Sequence, residues 1–520
     1  MRAQIKYFLA FVLLAIGPGC SNSRLAALHH APSKEQTGAF ITLYGTDTAS
    51  IERFSRSASS TSASLVINRL SQMDFTLVIT PEQRVAELRR KSSSYEEKTP
   101  ADTLYCSPDS LSASKRKPWA VLPYIDRSTV LLEQVVRFAQ LQPGPNVKVR
   151  LFRTIPQQSV VALVHFATLR RVQVDLQGMH YEIQLDKRGS IEAASLPAYG
   201  VRIQRVASLR ASAYRLEPLL DAPIGAPYTA TEVRVPARAG HVLAGTLTLP
   251  QGGENRKAVV VLITGSGQNN RNNGGSPSVP FRQIADGLSR RGVAVLRLDD
   301  RGTGASTGDW KTATMQQEAN DIEDAIVWLR KRADINPRRV GLLGLSEGGI
   351  IAPMLGARDP SLAAIATMAG VGGTGREMAQ YQIRYAVDHM PSIPPAQRDS
   401  ITAHEVAEQF IGPPKIKSIV EYNDALATAQ RLKMPLLILH GANDRHIPPA
   451  HAQQLANAAR AGGNEAVTVQ VFPGLNHVFL PDPDGSSGIR WAYLPTFTLP
   501  TAVMESITNF FVKYLLAKDG

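Results

Sequence analysis

From about residue 229 the chain alternates short apolar runs with segments whose apolar positions recur every three or four residues. The runs fall at 230–236, 242–249, 258–264, 293–298, 339–345, 363–369, 435–440 and 467–472. The helical periods fall at 281–291, 313–333, 348–358, 449–461 and 501–516. A stretch as continuously apolar as Ala258 to Ile263 suits a strand buried on both faces. Such strands alternating with helices predict the α/β class, with a mostly parallel sheet covered by helices on both sides. Ligands then bind outside the carboxyl ends of the strands. Residues 372–432 interrupt the alternation. They are polar and helical in pattern, with breaks at Pro391, Pro394-Pro395 and Pro413-Pro414. An insertion of that size between core strands predicts a helical cap over the site.

Upstream the pattern shifts to alternating strands. Ala39–Tyr44, Phe75–Thr80, Val160–Phe166 and Arg171–Leu176 read as strands, and Asp186-Lys187-Arg188-Gly189 joins 180–185 to 190–193 as a hairpin. Residues 39–225 are therefore expected to form a β-rich accessory domain before a catalytic domain at 229–520. The Ser-rich stretch Ser55–Ser64 reads as a loop, and 21–38 as a linker. The first twenty residues have a basic start at Arg2 and Lys6, an apolar core from Tyr7 to Ile16, and a Cys20 after Gly19. The core is too short to span a bilayer, and the segment resembles a bacterial lipoprotein signal with Cys20 as the lipidated residue. The expected location is the cell envelope, held by a lipid anchor. A soluble exported protein and an uncleaved anchor are the alternatives.

Composition narrows this little. Of 520 residues, 43% are hydrophobic and 19% charged, which suits a globular chain, and two cysteines make no disulfide framework. If Cys20 is acylated, Cys106 is left an inert thiol. The net charge of +13 is unevenly placed. Residues 21–220 carry 26 Lys+Arg against 17 Asp+Glu, and residues 221–520 carry 29 against 27. The excess reads first as a solvated surface; behind a lipid anchor it would also suit an anionic membrane face. No nucleic-acid-binding motif accompanies it.

The chemistry lies in the catalytic region. Gly344-Leu345-Ser346-Glu347-Gly348 follows an apolar run and precedes a helical period. This is the Gly-x-Ser-x-Gly turn that exposes a serine nucleophile between strand and helix. A serine needs a base, and the base needs an orienting carboxylate. Asp444 follows the run 435–440 and His477 follows 467–472, which gives the order Ser, Asp, His. Asp482 and Asp484 come after the histidine and break that order. His446 and His451 lie before or within a surface helix, and His440 at a strand end is a packed supporting residue. No metal-ligand spacing appears. The oxyanion site needs N–H donors: that of Glu347, and one from Thr264-Gly265-Ser266-Gly267-Gln268, with Ser266 preferred and Gly267 second. The same loop lacks a phosphate-binding fingerprint.

These segments, with Asp299-Asp300-Arg301-Gly302, Gly441-Ala442-Asn443-Asp444 and Asn476-His477, resemble the α/β-hydrolases. They are similar to exported bacterial serine esterases of the EstD-like type. The resemblance covers 229–520 and implies the α/β-hydrolase fold, hydrolysis of short-chain carboxylic esters and a small N-terminal accessory domain. Such relatives often read His-Gly-Ser-Gly-Pro where Thr264 and Gln268 stand here, and Asp300-Arg301-Gly302 is read as structural. The implied reaction is an acyl-enzyme mechanism on Ser346 with no cofactor. The rivals are a serine peptidase of the same fold and a non-catalytic binding lipoprotein.

Overall fold

The computed structural model describes residues 36–517 apart from 45–46, 68–70, 80–84, 95–102, 107–121, 155–156, 177–178, 198–199, 210–220, 274–278, 390–392, 484 and 486–497. The expected signal, Cys20 and most of the expected linker lie outside the described residues.

The N-terminal unit is a sheet of thirteen strands. These are β1 Gln36–Tyr44, β2 Asp47–Arg56, β3 Ser60–Ile67, β4 Ser71–Ile79, β5 Val85–Ser94, β6 Thr103–Cys106, β7 Leu122–Tyr124, β8 Asn146–Thr154, β9 Gln157–Phe166, β10 Arg171–Leu176, β11 Met179–Leu185, β12 Ile191–Leu196 and β13 Val201–Val206. Their order is β6-β5-β4-β3-β2-β1-β13-β12-β11-β10-β9-β8-β7. Only β7 and β8 pair in parallel. Helix α1 (Thr129–Gln140) buries Val130, Leu131, Val135 and Val136 in one core with Val149, Leu151 and Val164 of the sheet. Its start is capped twice. The Ser128 hydroxyl accepts from the Leu131 N–H and donates to Glu52, and the Val130 N–H donates to the other Glu52 oxygen. Burial pushes the Glu52 carboxyl up to about 7 against these bonds.

Two expectations fail here. Strand β1 begins inside the expected linker. The Ser-rich stretch is the end of β2 and most of β3, with only a tight turn between them. Its alternate residues Thr61, Ala63 and Leu65 are buried, while Ser62 bonds Thr76 on the next strand at 3.1 Å. Small hydroxyl side chains satisfied by neighbours fit a pleated surface as well as a loop.

The C-terminal unit follows the predicted alternation closely. Its strands are β14 Tyr228–Pro236, β15 Val242–Pro250, β16 Lys257–Ile263, β17 Ala294–Leu298, β18 Ile335–Leu345, β19 Ala364–Met368, β20 Leu436–Gly441 and β21 Val467–Phe472. They lie in the order β14-β15-β17-β16-β18-β19-β20-β21. The first two pairings are antiparallel and the rest parallel. Helices α2 (Pro280–Ser289) and α10 (Thr501–Leu515) cover one face through Phe281, Ile284, Ile507 and Phe511. Helices α3 (Met315–Arg330), α4 (Gly348–Arg358), α8 (Ala425–Gln430) and α9 (Ala450–Ala461) cover the other. The insertion contains α5 (Gly375–Asp388), α6 (Arg398–Phe410) and α7 (Pro414–Val420) as a cap. Ala425, Ala429 and Leu432 belong instead to the core beneath α8, so the cap ends before residue 425.

Arg297, fully buried in β17, bonds Asp221 at 2.6 Å and the Asn272 side chain. The C-terminal unit therefore draws on chain ahead of β14. Asp221→Ala leaves a buried guanidinium short of its anion. The expected loss is about 2 kcal/mol, below that for a fully buried broken pair because Asp221 is partly solvated and Asn272 still bonds Arg297. Denaturant unfolding reads it. An Asp221→Ala protein as stable as wild type would show that the pair contributes nothing.

Candidate active site

Strand β18 enters the site buried along its last six residues and turns abruptly into α4. A Cβ on Gly344 would lie 1.8 Å from the Gly348 carbonyl oxygen, and one on Gly348 would lie 2.2 Å from that of Ile263. Both contacts are backbone to backbone, so neither can yield. Between these glycines Ser346 adopts φ +58°, a region that costs energy for a residue with a side chain. The Ser346 N–H is held by the Met368 carbonyl at 2.8 Å. The turn thus presents the hydroxyl at the carboxyl edge of the sheet.

The structure brings the three expected residues into one chain of hydrogen bonds. His477 Nε2 lies 3.0 Å from Ser346 Oγ, and its Nδ1 lies 2.8 Å from Asp444 Oδ2. His477 sits in the loop after β21, which Asn476 fixes by accepting the Val478 and Leu480 N–H groups. Asp444 sits in the loop after β20, fully buried. Its Oδ1 accepts the N–H groups of His446 at 2.7 Å and Ile447 at 2.9 Å, and His440 Nε2 lies 3.0 Å from Oδ2. Burial favours the protonated acid, but His477 and the bonds from His440 and His477 outweigh it and hold the carboxyl well below the usual range. Asp482 is also buried, but its carbonyl braces Asn443 in the acid loop at 2.7 Å. Asp484 lies outside the described residues.

Both remaining histidines lie before or within α9, as read, but they face inward. His446 precedes that helix. It lines the cavity and stacks on His477, with ring centroids 4.6 Å apart and planes 16° apart. Burial first, then His477, pushes it down to about 4, so it is neutral near pH 7. His451 lies in α9 but faces inward against Gly373. Burial likewise pushes it down to about 4. Local pattern carries no sign of either orientation, which is seen only in what packs against each ring, His477 for His446 and Gly373 for His451. His440 is a packed supporting residue, as expected.

The loop after β16 stands beside the nucleophile. A Cβ on Gly265 would lie 3.3 Å from that of Ser346. The Gly265 N–H is taken by Asn273 at 2.6 Å. Among the described residues the N–H groups of Ser266 and Glu347 have no acceptor, and both residues line the cavity. Thr264, in place of the relatives' histidine, donates to Asp300 at 2.6 Å, and the same carboxyl accepts from the Asn269 N–H at 3.0 Å. Gln268 donates to the Gly302 carbonyl at 3.1 Å. Asp300 therefore shapes the loop, and Arg301 braces the next turn through Asp321.

The cavity holds about 320 Å³. Met378 and Ile383 of α5, Ile416, Ile419 and Val420 of α7, and Ile350 of α4 make its apolar wall opposite Ser346 and His477. A wider, open groove of about 610 Å³ lies on the N-terminal sheet beside Phe54, Phe75 and Arg90, with none of these groups in it. The described residues hold no cluster of metal-ligating side chains, and no described helix is long and apolar enough to cross a membrane.

The family described as "Serine aminopeptidase, S33" (Hydrolase_4) matches residues 254–484. That stretch contains the serine turn, the aspartate and the histidine. The match lies wholly within the C-terminal unit and covers less than half of the chain. Esterase EstD of Thermotoga maritima is 27% identical over 283 residues, which cover 52% of this chain and 66% of that protein. Dipeptidyl aminopeptidase BIII of Pseudoxanthomonas mexicana is 26% identical over 305 residues, which cover 55% of this chain and 40% of that one. The esterase Pf2001 of Pyrococcus furiosus aligns in structure at 15% identity with a TM-score of 0.39, covering 56% of this chain and 96% of its own. The match to EstD thus leaves about a third of that esterase uncovered.

Behind the serine turn, Glu318 and Asp300 are half-buried and pushed up, to about 8 and about 7. Burial is the main cause for both, and Glu347 adds repulsion. Each binds its proton more tightly folded than unfolded, so stability is lost as pH rises through those values. The buried neutral His446 and His451 act the opposite way, but only below about pH 6.5. Thermal unfolding is therefore expected to come at lower temperature as pH rises from about 6.5 to about 8.5, and Glu318→Gln should flatten that fall. Glu52 acts in the same sense, so the difference between the two proteins is the diagnostic. Identical slopes would show that Glu318 ionises normally.

Proposed function

We propose that this protein is a serine hydrolase that cleaves carboxylic esters of short acyl chain through an acyl-enzyme on Ser346. The observation that carries it is the hydrogen-bonded chain Ser346–His477–Asp444 opening onto an apolar cavity. His477 Nε2 takes the Ser346 proton as Oγ attacks the ester carbonyl. The oxyanion forms beside the Ser266 and Glu347 N–H groups, which have no other acceptor among the described residues. Protonated His477 then gives its proton to the departing alkoxide. Water, deprotonated by the same nitrogen, attacks the acyl carbon, and collapse of the second oxyanion returns the Ser346 hydroxyl. Asp444 keeps the Nδ1–H tautomer and favours the imidazolium. No step calls for a cofactor.

The family description and the aminopeptidase relative favour a second reading, cleavage of peptide bonds. An exopeptidase of that kind needs an anion for the substrate's ammonium group. The only described carboxylate lining the cavity is Glu347, and Lys415 Nζ stands 2.9 Å from it. The ester reading fits that lining better, and the complete Ser–His–Asp chain weighs against a purely binding role.

Ser346→Ala is expected to reduce p-nitrophenyl acetate hydrolysis to about a thousandth or less, and Asp444→Asn to lower kcat by orders of magnitude with KM little changed. Asp482→Asn should turn over near the wild-type rate. A fluorophosphonate probe should label wild type on Ser346. An active Ser346→Ala protein, or a panel in which peptide amides outpace esters, would overturn the corresponding part of the reading.

We further propose that the chain is exported and anchored through acylated Cys20. Its support is the basic start, the apolar core and the Gly19-Cys20 junction. Attachment by several acyl chains is effectively stable, whereas one chain binds only marginally. Palmitate labelling should mark the wild type and not Cys20→Ala. An unlabelled wild type in the soluble fraction would mean an ordinary exported enzyme.

A further inference from the structure

Helix α7 is short, yet it does two things at once. Ile416, Ile419 and Val420 form part of the cavity wall, while Lys415, at the start of the same helix, points away from the cavity into protein. Lys415 is only 6% exposed. Its ammonium reaches Glu347 Oε1 at 2.9 Å and pairs with Glu318 of α3. Glu347 is the residue directly after the nucleophile, itself 2% exposed. Other contacts also orient the helix. Pro413 and Pro414 fix its entry, Ser418 accepts the N–H of Met315 at 3.0 Å, and Gly375 of α5 packs against the Ile419 carbonyl so closely that a Cβ would lie 2.0 Å from it.

The surroundings of that ammonium are lopsided. Glu347 faces it from the nucleophile turn, Glu318 from α3, and Asp300 from the loop after β17, so three carboxylates share one cation. From the loop after β16, the Thr264 hydroxyl donates to Asp300 and the Ser266 side chain faces Glu347. Burial opposes the charge on Lys415, but Glu347 and Glu318 outweigh it and raise its pKa. Burial also raises Glu347, against the influence of Lys415 and Ser266. A buried carboxylate that loses its only cation must either take up a proton or move toward water. Movement of Glu347 would carry its own N–H, the expected oxyanion donor, out of place. The cap has a second tie of a different kind, in which the Tyr381 hydroxyl of α5 donates to the Asp444 carbonyl at 2.9 Å.

We propose that Lys415 is a positioning residue for the hydrolysis: its ion pair with Glu347 locks cap helix α7 to the nucleophile turn, so that the wall receiving the acyl group and the oxyanion donor are set by one contact. The proposal rests on the serine-hydrolase reading above. Lys415 touches no reacting atom. It acts through the Glu347 side chain on the Glu347 backbone, and the wall formed by Ile416 is one residue away along the helix. A substrate that seats well under α7 holds the ammonium in its socket, and one that lifts the helix loosens the turn.

The test compares wild type, Lys415→Met, Lys415→Arg and the double variant Lys415→Met/Glu347→Gln, using p-nitrophenyl acetate and butyrate. Lys415→Met should lose about tenfold or more in kcat with a much smaller change in KM, since a small misplacement of the oxyanion donor suffices for that. The deficit in kcat relative to wild type should persist as pH falls from about 8.5 to about 6.5, because proton uptake removes the stranded charge without restoring the tie between α7 and the turn. Lys415→Arg should recover most of the activity. The double variant removes the stranded charge and should regain the melting temperature while kcat stays low. Wild-type kcat in Lys415→Met, or recovery of kcat together with stability in the double variant, would overturn the proposal and reduce Lys415 to a structural ion pair. Should Lys415→Met fail to fold, the double variant and Lys415→Arg decide the matter. The rate of fluorophosphonate labelling of Ser346 follows the same series without any ester. A wild type that labels but prefers amides defeats the ester reading and leaves this one standing.

Discussion

Everything at this site depends on how closely two backbones meet at the nucleophile turn. Gly344 and Gly348 allow β18 and α4 to approach each other and β16 at distances that exclude a Cβ. That approach forces Ser346 into the left-handed region and lifts its hydroxyl clear of the sheet. The strain persists because the surroundings over-determine the turn: β19 holds the Ser346 N–H, and strands on both sides of β18 are packed against it. The loops after β20 and β21 then need only bring an acid and an imidazole to a position the sheet has already defined.

Burial sets the electrostatics around that turn in two opposite ways. Asp444 stays charged inside protein because two backbone N–H groups and two histidines converge on it. Beside the serine turn, Glu318 and Glu347 pair with Lys415 and Asp300 feels the same ammonium, so at least part of that group holds protons near neutrality. The first arrangement steadies the base in one orientation. The second makes the fit of cap to core sensitive to the proton.

The order of strands and helices in the C-terminal unit was legible because its strands are continuously apolar and its helices strictly periodic. The Ser, Asp and His positions were legible because each follows such a strand at its carboxyl end. The accessory sheet was only partly so. The first five residues of β3 are serines, a threonine and an alanine, and the burial of Thr61 and Ala63 comes from neighbouring strands and not from their own apolarity. His446 was missed because nothing in the run after Asp444 shows that the loop folds back over His477. Lys415 was missed for a related reason. A lysine in a polar insertion reads as a solvated side chain until the carboxylates that surround it, from α3, the β17 loop and the serine turn, are seen together. Long-range burial of a charge leaves no trace in local pattern.

The reach of β17 beyond its own sheet bears on how this protein can be divided. Arg297 takes its anion from Asp221, seven residues before the first strand of the hydrolase sheet. The hydroxyl of Thr246 bonds the same carboxyl at 3.0 Å. A fragment trimmed to begin at β14 would keep every described strand and helix of the unit and all three residues of the hydrogen-bonded chain, yet its buried Arg297 guanidinium would keep Asn272 and lose the Asp221 anion. The natural seam of the molecule therefore lies upstream of Asp221, and the segment that carries it is part of the C-terminal unit, not a tether hung on it.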